Sequence, residues 1–268
     1  VNKALFDDLL DYFSCVSELP NEQHYTFVVA WVIHTFFQEK LRFSPILCLF
    51  AEPERGKTRT GRAITNVCYR GFHLESLREA FIFRVATHFN GTMFFDVRDI
   101  WSKLERNNSE DLILLRFEKG ATVPRVLYPD RGPHEDTVYY YIFGPTIIGT
   151  NMPVDKILET RAIQINMPES SRRFDNEVTV EEALPLKARL LALRGYYLDT
   201  KLEVISKPAH GRLGDILRPI QQMIRLVYPQ AEKQFLDFVS AIVKSKRQEK
   251  SQSDEARIVG AIINLERE

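Results

Sequence analysis

The fold is decided by residues 45–58, which read Pro45-Ile46-Leu47-Cys48-Leu49-Phe50-Ala51-Glu52-Pro53-Glu54-Arg55-Gly56-Lys57-Thr58. An apolar run with strand character leads into a short polar turn, and a helix-forming stretch follows over residues 59–69. The backbone N–H groups of such a turn, together with the positive end of the helix dipole, favour a polyphosphate. The pattern therefore predicts a phosphate-binding loop, or P-loop, between a strand and a helix.

The polar residues of this loop have expected roles. Lys57 is expected to reach the β- and γ-phosphates of a nucleotide, and the Thr58 hydroxyl is expected to ligate Mg²⁺. The predicted cofactors are therefore ATP and Mg²⁺. Ala51 stands where the first glycine of the motif belongs, and alanine does not take a positive φ cheaply. The predicted nucleotide-binding residues of the loop and of the helix start are Glu52, Pro53, Glu54, Arg55, Gly56, Lys57, Thr58 and Arg59.

Composition indicates an ordinary globular chain. Its 268 residues are 44% hydrophobic and 27% charged, which is enough for one α/β core with a smaller appended domain. Lys and Arg number 36 and so do Asp and Glu, so any surface for nucleic acid must be local. The three cysteines show no metal-site spacing. With no apolar run of about 20 residues and no signal-peptide pattern, we expect a cytoplasmic protein without a membrane span. Because the chain does not begin with Met, we also expect it to be a piece of a longer protein.

Alternating strand and helix patterns predict an α/β fold with a mainly parallel sheet. We expect helices over residues 3–17, 22–39, 59–69, 76–90, 99–107 and 110–118, and core strands over 45–50, 70–74, 91–96, 145–151 and 161–167. Segments 122–128 and 137–143, joined by the turn-rich residues 129–136, predict a β-hairpin insertion. From residue 181 the pattern is helical, with breaks at 208–211, Pro219 and Pro229. The expected domains are a helical segment over 1–42, a P-loop ATPase core over 43–175 and a lid-like helical domain over 176–268.

Two polar residues end predicted core strands. Asp96 fits a Walker-B carboxylate that holds Mg²⁺ through water, so Thr58 and Asp96 form the predicted metal site; a helix-capping aspartate is the alternative. Asn151 suits a sensor of the γ-phosphate or of the attacking water, and a turn asparagine is its alternative. Because the carboxyl ends of parallel strands meet at one edge of a sheet, these residues are expected to converge with the P-loop.

The residue that would polarise the attacking water is missing from its usual place. Val97 stands where hydrolysing enzymes carry a glutamate after the Walker-B aspartate. Asp99 is the expected replacement, and Glu110 and Glu118 are further candidates. The sequence therefore predicts ATP binding more directly than it predicts efficient hydrolysis.

Three arginines outside the P-loop are further candidates. Arg161 begins the last core strand, and in a ring such an arginine can reach a neighbouring subunit's γ-phosphate; local pairing with Glu159 is the alternative. Arg212 and Arg218 can fold over the nucleotide from the helical domain, or lie on an exposed face. Of these two, Arg218 is the predicted nucleotide contact.

Taken together, these residues resemble the AAA+-like ATPase domains of phage- and plasmid-type primase-helicase proteins, especially their uncharacterised bacterial and mobile-element relatives. The resemblance covers about residues 5–220 and rests on an ordered series of segments: Ala30-Trp31-Val32-Ile33-His34-Thr35, Ala51–Thr58, Gly91–Asp96, Arg116–Gly120, Val123–Val126, Phe143–Asn151 and Glu159–Pro168. Ala51 and Val97 depart from the family pattern. These two departures bear on the rate of ATP turnover and not on the fold.

The resemblance implies site residues and partners. It implies Lys57, Thr58 and Asp96 at the ATP, Asn151 as sensor and Arg161 as a finger acting on a neighbouring subunit of a hexamer-like ring. It also implies that the hairpin faces the pore of that ring, where cations can follow a phosphate backbone, although a solvated turn is the alternative. The candidate nucleic-acid contacts in and beside the hairpin are Lys119, Arg125, Arg131 and His134.

Three functions remain open on the sequence. The first is an ATP-driven, ring-forming motor or remodeller that acts on DNA during replication of a mobile element. The second is a nucleotide-dependent switch or assembly scaffold with weak or absent hydrolysis, which Val97 favours. The third is a small-molecule kinase, which the long insertion over residues 116–143 and the asparagine sensor disfavour.

Overall fold

The computed structural model describes residues 2–106, 109–132 and 135–251. The strands in chain order are β1 (Ile46–Phe50), β2 (Gly71–Leu74), β3 (Thr92–Asp96), β4 (Thr122–Val126), β5 (Thr137–Tyr141), β6 (Thr146–Thr150) and β7 (Ala162–Asn166). Five of them form one sheet in the order β2-β3-β6-β1-β7, and every neighbouring pair in it is parallel. The core strands are buried apolar runs, as expected for a parallel sheet covered on both faces.

The parallel sheet has two functionally different edges. Its carboxyl edge, where the strands end, carries the loop after β1, Asp96 after β3 and Asn151 after β6. Its amino edge, where the strands begin, carries Arg161, which directly precedes β7. A five-residue strand such as β1 separates the two edges by about 13 Å.

The helices surround this sheet and extend beyond it. They are α1 (Asn2–Val16), α2 (Glu22–Thr35), α3 (Lys57–Val67), α4 (Glu79–Arg84), α5 (Ile100–Arg106), α6 (Asp111–Leu114), α7 (Lys156–Glu159), α8 (Val180–Tyr196), α9 (Gly211–Val227) and α10 (Glu232–Ser251). Helix α2 is buried on all sides from Thr26 to Thr35, because α1, α3, α9 and α10 pack around it. The N-terminal helices and the C-terminal helices therefore pack against each other.

A two-stranded antiparallel hairpin, β4–β5, projects from the chain between α6 and β6. Its inner face packs on the segment after β2, where Tyr140 stacks on Phe83 with ring centroids 4.5 Å apart. On the opposite face Tyr139 and Tyr141 are 62% and 64% exposed. The alternation of side chains along β5 thus gives the hairpin one packed face and one open aromatic face.

Arg116 anchors the base of this hairpin. Its side chain is 0% exposed and donates to Ile142 O (2.8 Å), Pro145 O (3.1 Å), Gly91 O (3.2 Å) and Thr146 Oγ1 (2.7 Å). Burial lowers the pKa of Arg116 to about 9, so the guanidinium is still charged at pH 7. A buried charge held only by carbonyl and hydroxyl oxygens ties the end of β5 to the starts of β3 and β6.

The predicted P-loop NTPase class, the parallel sheet, the hairpin and the C-terminal helices are confirmed. Several local predictions are wrong. Helix α6 covers only Asp111–Leu114 of the predicted 110–118, α2 ends at Thr35 rather than at residue 39, and the break between α8 and α9 covers residues 197–210 rather than 208–211. The helix expected over residues 76–90 begins only at Glu79 and changes to a π-helical turn at Val85. Pro219 does not break a helix, because α9 continues through it; burial of that helix against α2 and α10 offsets the lost backbone hydrogen bond. Within the described ranges, no helix is both long and apolar enough to cross a membrane.

We predict that Arg116→Met lowers the free energy of unfolding by about 3–5 kcal/mol, because four oxygen acceptors at the hairpin base lose their donor. Chemical denaturation monitored by circular dichroism measures this change. Arg84→Met, on the exposed side of α4, is the matched control and should stay within about 0.5 kcal/mol of wild type. Equal stability of the two variants would contradict the anchoring role of Arg116.

Candidate nucleotide-binding site

The loop between β1 and α3 turns from strand to helix without a glycine at its start. Positive φ angles occur at Glu54 (68°) and at Gly56 (74°), and not at Ala51. Ala51 is 3% exposed and donates its N–H to Thr150 O (3.1 Å), so it extends the pairing of β1 with β6. The alanine therefore causes no backbone strain, and the left-handed position falls instead on Glu54.

Lys57 and Asp96 approach each other across Gly149. A Cβ atom on Gly149 would lie 3.3 Å from Lys57 Cγ and 3.4 Å from Asp96 Oδ1. Gly149 is in β6, which pairs with β1 on one side and with β3 on the other, and its register partner in β3 is Asp96. Position 149 therefore lies between the side chains of Lys57 and Asp96, and it carries no side chain that would fill the space between them.

His73 is a neighbour of Asp96 that the sequence did not reveal. Its Nε2 atom lies 3.6 Å from Asp96 Oδ2, and its ring stacks on Phe94 at 5.0 Å between centroids. That nitrogen is buried and has no hydrogen-bond partner in the described part of the chain. Asp96 therefore has one oxygen facing Gly149 and the other facing His73. Only the register of β2 against β3 brings the imidazole there.

A cleft of about 610 Å³ opens over the loop and the first turn of α3. Its lining residues are Glu52, Glu54, Arg55, Gly56, Lys57, Thr58, Arg59, Arg62, Glu177 and Val178. A second cleft of about 590 Å³ shares five of these residues and adds apolar surface from Val16, Met167, Pro168 and Phe174. Both clefts are lined mainly by polar and charged side chains, and each has the volume of a small-molecule site.

Arg55 in the loop and Arg59 in the first turn of α3 both bind other groups of the protein. Arg55 pairs with Glu52 at 2.7 Å. Arg59 donates to Val16 O (2.7 Å) and Asn176 O (2.5 Å) and lies over the Phe174 ring. Arg59 therefore joins α3 to the end of α1 and to the segment before α8, although it lines the cleft.

The residues available for Mg²⁺ are oxygen donors. In the described part of the chain, no group of three or more His, Cys, Asp and Glu side chains could hold a metal. The Thr58 hydroxyl at the start of α3 and the partly buried Asp96 carboxylate suit a hard cation that takes its remaining ligands from phosphate and water. The site thus fits Mg²⁺ brought with a nucleotide rather than a resident metal.

The candidates for polarising water differ in position. Val97 is 3% exposed and belongs to the core. Asp99 has a positive φ of 52° and lies just before α5, on the carboxyl edge. Glu118 is bound by Arg42 at 3.0 Å and bridges to Phe43 at the amino edge, and so lies far from Lys57. Glu110 immediately precedes α6, and Asn151 directly follows β6 beside the P-loop strand.

Arg161 and Arg218 do not join this site. Arg161 lies at the amino edge, where its guanidinium sits 4.9 Å from the centre of the Phe117 ring. Its suggested partner Glu159 instead pairs with Lys246 at 3.3 Å. Arg218 is on α9, which packs against α2 and α10, and it lines neither cleft beside the P-loop.

The predicted nucleic-acid contacts occupy different surroundings. Lys119 donates to Glu39 O (2.7 Å). Arg125 turns to the inner face of the hairpin, over Phe83 and 3.6 Å from Glu79. Arg131 stacks on Tyr128 at 3.9 Å near the hairpin tip. His134 lies outside the described residues.

The sheet order, the loop and the facing Lys57 and Asp96 define the class: the chain has an α/β P-loop NTPase fold with a C-terminal helical part. The sequence matches no protein-family model and no curated protein. Among solved structures, the SCCmec type IV Cch helicase is similar over 96% of this chain, with 16% identity and a TM-score of 0.46. An inhibitor-bound JCV helicase is similar over 94%, with 13% identity and a TM-score of 0.38. The chain spans 51% and 62% of those two proteins, respectively.

We predict that Gly149→Val weakens ATP binding by about tenfold or more, because the new side chain would occupy the space between Lys57 and Asp96. Circular dichroism of the variant checks its folding, since a Cβ at this position also lies 3.2 Å from Phe94 Cε2. Isothermal titration with ATP and Mg²⁺ measures the affinity. Gly195→Ala is the control, since a Cβ there meets nothing within 4 Å and should only stabilise α8, by about 0.5–1 kcal/mol. ATP affinity of Gly149→Val equal to wild type would mean that the nucleotide does not lie over β6.

Proposed function

We propose that this chain is an ATP-binding and ATP-hydrolysing, AAA+-like motor or remodeller that assembles into a ring and acts on DNA. The observation that carries the proposal is the approach of Lys57 and Asp96 across Gly149, at the carboxyl edge beside a left-handed Gly56. In this reading the loop N–H groups and Lys57 bind the phosphates, and Thr58 and Asp96 hold Mg²⁺. Bound Mg²⁺ would neutralise charge that develops on the phosphates during transfer.

The role of each further residue follows from its position. Asn151, next to the P-loop strand, would orient the attacking water, and Asp99 on the same edge would polarise it. His73 would lie beside the Asp96 carboxylate, with its Nε2 atom 3.6 Å from Oδ2. Arg161, on the opposite edge and without its local partner Glu159, would act on the nucleotide of a neighbouring subunit.

The open face of the hairpin supports a role with single-stranded nucleic acid. Tyr139 and Tyr141 project from one side of β5, and Arg131 lies over Tyr128 at the tip. Exposed aromatic rings with a nearby guanidinium are a surface on which bases can stack. The chain has no net charge, so we expect this contact to depend on stacking as well as on phosphate pairing.

A nucleotide-dependent switch or scaffold is the second candidate, and one observation favours it. Val97 is buried in the core and has no polar group, so it cannot polarise water. A chain that binds ATP, assembles and hydrolyses slowly would fit the same P-loop geometry.

We predict that Lys57→Ala weakens ATP binding by about 100-fold, because the phosphates lose their charged donor. Wild-type chain should hydrolyse ATP in a steady-state assay, and single-stranded DNA should increase the rate. Lys57→Ala gives the blank for that assay. ATP binding without turnover, with or without DNA, would favour the switch; unchanged affinity in Lys57→Ala would contradict the P-loop assignment itself.

We predict that Arg161→Ala leaves ATP affinity unchanged and lowers turnover by about 1,000-fold, as loss of a finger arginine does in related chemistry. Equilibrium titration and steady-state hydrolysis on the same preparation separate the two quantities. Wild-type turnover in this variant would remove Arg161 from the mechanism.

A further inference from the structure

A second arginine shares the surroundings of Arg161. The aromatic rings of Phe43 and Phe117 stack at the amino edge with centroids 5.9 Å apart. Arg161 lies over the Phe117 ring at 4.9 Å, and Arg212 lies over the same ring at 5.9 Å. Arg212 is in the first turn of α9 and donates to Thr160 Oγ1 (2.9 Å), the residue just before Arg161. The C-terminal helical part therefore contributes a guanidinium directly beside the candidate finger.

Around Arg161 and Arg212, positive charge exceeds negative charge. Glu118, the carboxylate that interacts with Arg161, is bound by Arg42, which lies over Phe43. Burial and the charge of Arg212 both lower the pKa of Arg161, while Glu118 only partly opposes them. Arg161 Nε and Nη1 have no hydrogen-bond partner among the described residues. Because Glu118 is shared with Arg42, two adjacent guanidiniums here have less than one full carboxylate between them, and an anion bound between them would stabilise both.

The chemistry of the pair favours a phosphate. Planar guanidinium forks bind the oxygens of phosphate in pairs, and an aromatic ring beneath them holds their planes in place. The phosphate cannot come from the nucleotide of the same chain, because Lys57 is at the carboxyl edge and the pair is at the amino edge, about 13 Å away along β1. A second molecule must bring it.

We propose that Arg161 and Arg212 form one anion site that binds the terminal phosphate of the nucleotide held by a second copy of this chain. The inference rests on the proposed function and adds Arg212, so that both the sheet and the C-terminal helices of one copy would contact the nucleotide of the next. Arg212 thus acts between copies, and not as a cover over its own P-loop.

Mixing two defective variants tests this directly. Arg212→Ala has an intact P-loop, and Lys57→Ala has an intact arginine pair; each alone should hydrolyse ATP at least about tenfold more slowly than wild type. Mixed in equal amounts, they should regain turnover, because a P-loop of one can meet the arginines of the other. Arg212→Lys should restore part of the rate. Arg189→Ala is the matched control, since it also removes one exposed arginine that bonds to another helix, and its rate should equal wild type.

Further measurements distinguish a wrong role for Arg212 from a wrong assignment of the P-loop. Arg212→Ala should bind ATP as wild type does, and sedimentation should show weaker ATP-dependent association of its copies, a readout that does not require hydrolysis. Wild-type turnover in Arg212→Ala, no recovery on mixing, or weaker ATP binding by isolated Arg212→Ala would each overturn the inference and leave the P-loop assignment intact. A loss of affinity for single-stranded DNA with unchanged DNA-free turnover would show that the pair binds a nucleic-acid phosphate and would also overturn it. Absence of ATP binding by wild type would overturn both.

Discussion

The candidate site depends on the placement of Lys57 and Asp96 on either side of Gly149. It needs β6 between β1 and β3, and it needs a residue without a side chain at position 149. A second glycine, Gly61, allows helix α3 to pack closely on the sheet. A Cβ at Gly61 would lie 2.1 Å from Phe94 Cζ, so only glycine lets α3 approach β3 this closely. The start of α3, and with it Lys57, is positioned by that contact.

The opposite edge of the sheet is organised by three consecutive residues. Arg116 holds the base of the hairpin, Phe117 lies beneath Arg161 and Arg212, and Glu118 pairs with Arg42. A change in the arginine pair therefore acts on the same short segment that anchors the hairpin. In the proposed ring, residues 116–118 would connect the nucleotide of a neighbouring subunit to the hairpin surface that binds nucleic acid.

The sequence predicted what depends on local pattern. The P-loop, the five core strands and the hairpin follow from apolar runs and turn residues, and the parallel arrangement brings their polar ends together by geometry alone. Contacts that depend on register or on distant packing were not predictable. His73 reaches Asp96 only through the pairing of β2 with β3, and Arg212 reaches Thr160 across 52 residues of chain. Arg125 faces inward because Tyr140 and Phe83 fix which face of the hairpin packs.

A crystal structure of the chain with a non-hydrolysable ATP analogue and Mg²⁺ tests the central claim most directly. We expect phosphates against the N–H groups of residues 54–58, Lys57 Nζ at the terminal phosphates, and Mg²⁺ between the Thr58 hydroxyl and the side of Asp96 that faces Gly149. Phosphates bound elsewhere, or a metal that contacts neither Thr58 nor Asp96 directly or through water, would contradict it.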